Sequence, residues 1–238
     1  MGRSDISQPN DWDAYRQRTA AFAAGRNVGA VSGVGSTARA AKPLVKWLLA
    51  WLASHPDVHS MVEASCGHWP SGWQGSVRWP FVDYVGIDVV REQVDANAAF
   101  VAKRGVTLFG LRSAAFLHGN MTKDALPAAD LLVTKDTLIH FRHADIIRFL
   151  RLSVVGMCPP LFKYVIFVQE QPFDLTATNN LELGRNGHHP LDFSLPPFSL
   201  DVRTVFTYAS GRCCKKSVQL LDLTHACQNN VTRHNSSI

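Results

Sequence analysis

Several absences narrow this 238-residue chain before any motif is read. No G-x-x-x-x-G-K-[ST] run exists to cradle a triphosphate, and no G-x-G-x-x-G turn exists to seat a pyrophosphate. Cysteine is scarce: Cys66, Cys158, Cys213, Cys214 and Cys227 form an odd set without C-x-x-C spacing. That pattern argues against structural zinc and leads to an expectation of free thiols in a reducing, cytoplasmic setting. No apolar stretch approaches the about 18 to 20 residues that span a bilayer. Residues 1–10 lack the apolar core of a secretory signal, although Arg16, Arg18 and Arg26 in an Ala-rich stretch keep a mitochondrial address open. Charge is modest at 18% of residues, with a net +5. This mild basic excess suits an acidic partner such as RNA, yet no Lys/Arg block or RNA-binding motif accompanies it.

What the chain has is a core-forming share of 46% hydrophobic residues and an ordered series of strand and helix signals without internal repeats. One domain is expected over residues 31–226, preceded by an extension at 1–30 and followed by a polar tail at 227–238. Residues 11–24 carry Trp12, Tyr15, Thr19 and Phe22 at helical intervals. A loop, Ser32-Gly33-Val34-Gly35-Ser36-Thr37, leads into a helix over 38–53 whose apolar face is Leu44, Trp47, Leu48 and Trp51, with Ser36 or Thr37 as N-cap.

The most informative stretch follows. An apolar lead-in, Met61-Val62, reaches Glu63-Ala64-Ser65-Cys66-Gly67-His68-Trp69, and a second run, Tyr84-Val85-Gly86-Ile87, stops on Asp88. Strand, tight turn, strand and terminal acid is the nucleotide-cradle order of an open α/β sheet, where the acid accepts hydrogen bonds from ribose hydroxyls. With only Gly67 in the glycine window, a dinucleotide and an NAD-dependent oxidoreductase are disfavoured, which leaves an adenosine cofactor such as S-adenosylmethionine. Farther along, a helix is read over 89–101, and a third strand over either 106–111 or 115–118. Asp130-Leu131-Leu132-Val133-Thr134 reads as a doubly buried strand, 144–152 as a helix and Tyr164-Val165-Ile166-Phe167-Val168 as a fifth strand. A long polar loop over 169–190 and a closing antiparallel pair, 202–208 with 217–223, complete the pattern.

These segments resemble class I S-adenosylmethionine-dependent methyltransferases, in particular an uncharacterised bacterial-type group with a Gly/Ser-rich N-terminal segment. Glu63-x-Ser65-x-Gly67 lines up with that family's acidic-x-Gly-x-Gly turn, Tyr84 to Asp88 with its second motif, Phe116 to Thr122 with its third and Asp130 to His140 with its fourth. Gly33 to Thr37, Pro196-Pro197-Phe198 and Lys216 to Leu223 match the group's flanking segments. The resemblance implies a Rossmann-like fold with a mostly parallel seven-stranded sheet and helices on both faces. It also implies a cofactor site drawn from Gly35, Glu63, Ser65, Cys66, Gly67, Trp69, Asp88, Val89, Asn120, Met121, Lys135 and Asp136. The first turn departs from the family pattern at Ser65 and at His68-Trp69. Asn120 stands where an acid often faces the adenine amine, and would accept through its amide oxygen.

Methyl transfer needs positioning more than chemistry, with a base only for a protonated acceptor. Asp136 and His140, four apart at the carboxyl end of the fourth strand, are the catalytic candidates if a helix begins there. Trp69, Trp73 and Trp79 read either as core packing or as a substrate wall. The acceptor (small molecule, protein or RNA) and the oligomeric state are not legible. The rival functional reading is a methyltransferase-like binding or assembly protein without turnover, associated with RNA.

Overall fold

A computed structural model describes residues 32–171, 176–183, 187–210 and 214–227. The expected helix over 11–24 and most of the tail lie outside these residues. Helix α1 spans Ala38–Ser54, and Thr37 caps it in extended geometry by accepting the Ala40 N–H through its hydroxyl at 3.3 Å. Its Leu44, Leu48 and Trp51 are buried, so the helical spacing read from the sequence is the spacing of the packed face.

Strands β1 (Ser60–Ala64), β2 (Asp83–Asp88), β3 (Ser113–His118), β4 (Leu131–Lys135) and β5 (Tyr164–Glu170) run parallel. Strands β6 (Val202–Ser210) and β7 (Cys214–Asp222) close the sheet antiparallel, in the order β3-β2-β1-β4-β5-β7-β6. The expected seven-stranded, mostly parallel sheet is thus present. The third strand follows the later of its two candidate segments, because Val106–Phe109 forms a 3-10 turn instead. Helix α2 covers Arg91–Arg104, and α3 covers His143–Ser153.

Alternate residues of the strands feed two cores. Met61, Tyr84, Val133, Ile166 and Leu220 pack with α1 on one face. Val62, Leu132, Val165 and Phe167 pack with α3 and the segment carrying Leu191 and Phe193 on the other. No helix among the described residues is long and apolar enough to cross a membrane.

One open reading is resolved here and one expectation is corrected. Trp69, Trp73 and Trp79 are at most 2% exposed and pack in the core, with Trp73 also bordering the cleft beyond the carboxyl ends of β1 and β4. Trp69 abuts Tyr84, Phe109 and Phe116 and donates its indole N–H to the Tyr84 hydroxyl at 3.0 Å. Cys158 and Cys227 are joined in a disulfide rather than free. Antiparallel pairing sets Tyr164 opposite Asp222, which carries the residues just before β5 and just after β7 to the same end of the sheet. Sequence spacing alone does not reveal that meeting. Cys66 is free and buried.

Candidate cofactor and acceptor site

The chain leaves β1 toward β2 on one side and returns later to β4 on the other, so the strand order reverses between β1 and β4. Two loops diverge there, and the gap beyond their carboxyl ends is where open α/β sheets take ligands. An open cleft occupies that position, lined by the turn after β1, by Asp88 and Val89, and by Lys135, Asp136, Thr137, His140 and Phe141.

The turn after β1 works without the usual glycines. Ser65 itself takes the left-handed conformation, φ 63°, which glycine adopts most readily and a small polar side chain tolerates at a cost. Gly67 also has positive φ (62°), and a Cβ there would lie 2.6 Å from the Ser32 hydroxyl, so this position admits no side chain. The Ser32 hydroxyl in turn accepts the His68 N–H at 3.0 Å and locks the turn to the loop ahead of α1.

Asp88 ends β2 and is 8% exposed. Its two oxygens accept the Gly67 N–H at 2.9 Å and the Val90 N–H at 3.0 Å. Burial pushes its pKa up, and these backbone donors oppose the shift. The Val89 N–H is a third backbone donor to this carboxylate, whose two oxygens have about four acceptor sites between them, so capacity remains for a ligand hydroxyl. Beside it, Ile87, Val89, Met121 and Phe141 form an apolar slot that also touches Ser65, Gly119 and Asn120.

Glu63, 2% exposed, accepts from the Tyr84 hydroxyl at 2.5 Å and from the Gln74 amide at 2.7 Å. Burial raises its pKa to about 7 against these hydrogen bonds and the Lys135 charge. The Lys135 ammonium donates to the Gly35 carbonyl at 2.9 Å and to Asp136 at 2.6 Å. The second Asp136 oxygen faces Lys216 at 2.9 Å. Burial works against the Asp136 carboxylate, but the two ammonium groups outweigh it and hold its pKa below the ordinary value.

The structure brings Glu63, Ser65, Cys66, Gly67, Asp88, Val89, Asn120, Met121, Lys135, Asp136 and His140 to the walls of the cleft and its slot. It places Trp69 in the core instead. Gly35 acts from behind, through its carbonyl on Lys135, and a Cβ there would stand 3.1 Å from Asp136. The Asn120 amide oxygen is taken by the Thr122 N–H at 3.0 Å and the Thr122 hydroxyl at 2.8 Å, which uses both lone pairs and leaves only donors for a ligand.

Asp136 and His140 do not form the expected pair. The chain makes only a 3-10 turn over Leu138–His140, α3 starting at His143, so four-residue spacing does not align the two side chains. The His140 Nδ1 instead faces the Gly187 carbonyl at 2.7 Å. A carbonyl only accepts, so Nδ1 carries the proton and Nε2 presents a free lone pair. Desolvation lowers the His140 pKa, which keeps the ring neutral near pH 7. Sequence reasoning missed Gln74, Gln93, Thr137 and Phe141 in the lining; for Gln93, its place in the first turn of α2 just past Asp88 was the available signal.

No protein-family model and no curated protein matches the chain. Solved structures do resemble it. Magnesium protoporphyrin IX methyltransferase from Synechocystis PCC 6803, crystallised with SAM, superposes with a TM-score of 0.54 at 11% identity, covering 92% of this chain and 100% of that one. The N-terminal domain of EvdMO1 with SAH bound gives 0.52 at 11% identity, over 92% and 99% of the two chains. The bifunctional kinase-methyltransferase WbdD gives 0.53 at 16% identity, over 78% of this chain and 40% of its own. The fold is that of class I methyltransferases. At such identities the likeness speaks for the fold alone.

Proposed function

We propose that the protein is an S-adenosylmethionine-dependent methyltransferase. The observation that carries this reading is the adjacency of the Asp88 carboxylate, the Gly67 turn and the apolar slot at the β1/β4 reversal, a sequence of surfaces matching ribose and then adenine. The donor set fits the rest of the cofactor. Glu63 supplies an acceptor and Lys135 a cation where an amino-acid end would lie, while the Asn120 amide donors face ring nitrogens rather than the exocyclic amine.

When bound, the cofactor supplies a methyl group already activated on a sulfonium. This chain's residues then have three tasks. Asp88 and Glu63 orient the cofactor, and Phe141 with Met121 excludes water from the slot. Asp136, kept ionised by Lys135 and Lys216, is an anchor rather than a base, since a carboxylate of lowered pKa is a poor proton acceptor. His140 Nε2, neutral and fixed by Gly187, takes the acceptor's proton.

Calorimetric titration of the purified chain with S-adenosylmethionine and S-adenosylhomocysteine tests this reading. Micromolar binding is expected. Binding without transfer to any acceptor tried would return the non-catalytic reading, and no binding would remove the cofactor from the account.

A further inference from the structure

Beyond Lys135 the sheet carries a second set of buried polar groups that the cofactor does not use. Glu170, Lys216 and Tyr208 stand in register on β5, β7 and β6. All three are at most 6% exposed. Glu170 and Lys216 extend, by the two-residue period, the face on which Val168 and Val218 pack with α1.

Lys216 is paired with Asp136, while Glu170 and Tyr208 are held less closely. Among the described residues, the Glu170 carboxylate faces Lys216 at 3.6 Å and the His188 ring at 3.7 Å, both beyond hydrogen-bonding distance. Among the described residues, the buried Tyr208 hydroxyl has no hydrogen-bond partner. The set is continuous with the cleft, because Lys216 also contacts Asp136 in the cleft wall at 2.9 Å, and the charges of Asp136, Lys216 and His188 all act on His140.

The chemistry of the three groups discriminates among ligands. Glu170 only accepts, Lys216 only donates and Tyr208 does both. An acceptor carboxylate would satisfy Lys216 and Tyr208 but repel Glu170, and an ammonium would satisfy Glu170 but repel Lys216. Neighbouring hydroxyls, each donor and acceptor at once, satisfy all three.

We infer that the end of the β5–β7–β6 sheet is the acceptor subsite and that it takes a small polyhydroxylated molecule, a sugar or cyclitol, positioned by Glu170, Lys216 and Tyr208. This rests on the methyltransferase reading. Transfer to one of its hydroxyls forms an ether C–O bond as the methyl C–S bond breaks. The electron pair stays on sulfur, leaving a neutral thioether, and the hydroxyl proton passes to His140 Nε2.

The test uses the full chain with S-adenosylhomocysteine. Probes are myo-inositol and the methyl glycosides of glucose, galactose and mannose, with benzoate and glutarate as carboxylate controls and ethanolamine and phenethylamine as amine controls. Binding is read by saturation-transfer NMR on wild type, Tyr208→Phe and Lys216→Met, and cofactor affinity is titrated in parallel. At least one polyol is expected to bind in preference to both control classes. Tyr208→Phe should weaken it about fivefold, the effect of one lost hydrogen bond, with cofactor affinity held within about twofold. The inference is overturned if no polyol binds, if the carboxylates or amines bind instead, or if Tyr208→Phe leaves polyol affinity unchanged. Polyol binding by a chain that ignores the cofactor would overturn the methyltransferase reading and keep the subsite. Cofactor binding without polyol binding would do the reverse.

Discussion

Glu63 and Glu170 are buried carboxylates on the same face of one sheet, two strands apart across β4, and their surroundings differ sharply. Glu63 receives two direct hydrogen bonds, at 2.5 and 2.7 Å, from Tyr84 and Gln74. Among the described residues, Glu170 faces Lys216 at 3.6 Å and the His188 ring at 3.7 Å. One half of the sheet edge is closed around its own groups, and the other is held loosely by charges. A fixed site suits a ligand of constant shape, such as a cofactor. A loosely satisfied one suits a ligand that completes its hydrogen bonds on arrival.

The largest effect expected of a single substitution separates the chemistry from both binding halves. His140→Gln should lower kcat about 10²- to 10⁴-fold, as loss of a general base does, with cofactor affinity unchanged in calorimetry. A drop in affinity of the same size would instead make His140 part of the cofactor wall. Next, Asp88→Ala should weaken S-adenosylhomocysteine about 30- to 100-fold by removing a charged hydrogen-bonding partner, while circular dichroism shows the fold retained. Asp88→Asn should recover part of that loss.

A pH series then sharpens the contrast between the two carboxylates. Glu63 titrates near 7 in the fold, against 4.5 as its ordinary value. Its ionised form is the one able to pair with the cofactor's ammonium, so affinity should rise about tenfold from pH 6 to pH 8, and Glu63→Gln should flatten that rise. Stability moves in the opposite direction. The folded state binds the proton more tightly than the unfolded state, so this contribution is full below about pH 4.5 and is lost as pH climbs through 7. Thermal melts should show wild type losing stability across that window and Glu63→Gln losing less. The smallest effect, about fivefold for Tyr208→Phe on polyol binding, tests the loosely held half alone.

The same division separates what the sequence showed from what it hid. The cofactor half was legible because its parts lie near one another in the chain. Gly67 and Asp88 are 21 residues apart, joined by one strand and one turn. Within that half, Trp69 misled because adjacency to a glycine turn says nothing about side-chain direction, and here the indole points into the Tyr84 and Phe116 core. Asn120 kept its place but lost its expected role to a local bond with Thr122. Asp136 and His140 failed as a pair because four-residue spacing means contact only on a continuous helix.

The proposed acceptor half was illegible for a physical reason. Glu170, Lys216 and Tyr208 meet only through antiparallel pairing of β5, β7 and β6, and register is a property of the assembled sheet. The disulfide between Cys158 and Cys227 was hidden for the same reason, since that pairing brings the two cysteines together.

The central claim, that the reversal between β1 and β4 is a cofactor site, is tested most directly by a crystal structure of the chain grown with S-adenosylhomocysteine. The account predicts the ribose on Asp88, the adenine between Val89, Met121 and Phe141, and the sulfur turned toward Asp136 and His140. Density elsewhere, or an empty cleft at saturating ligand, would contradict it.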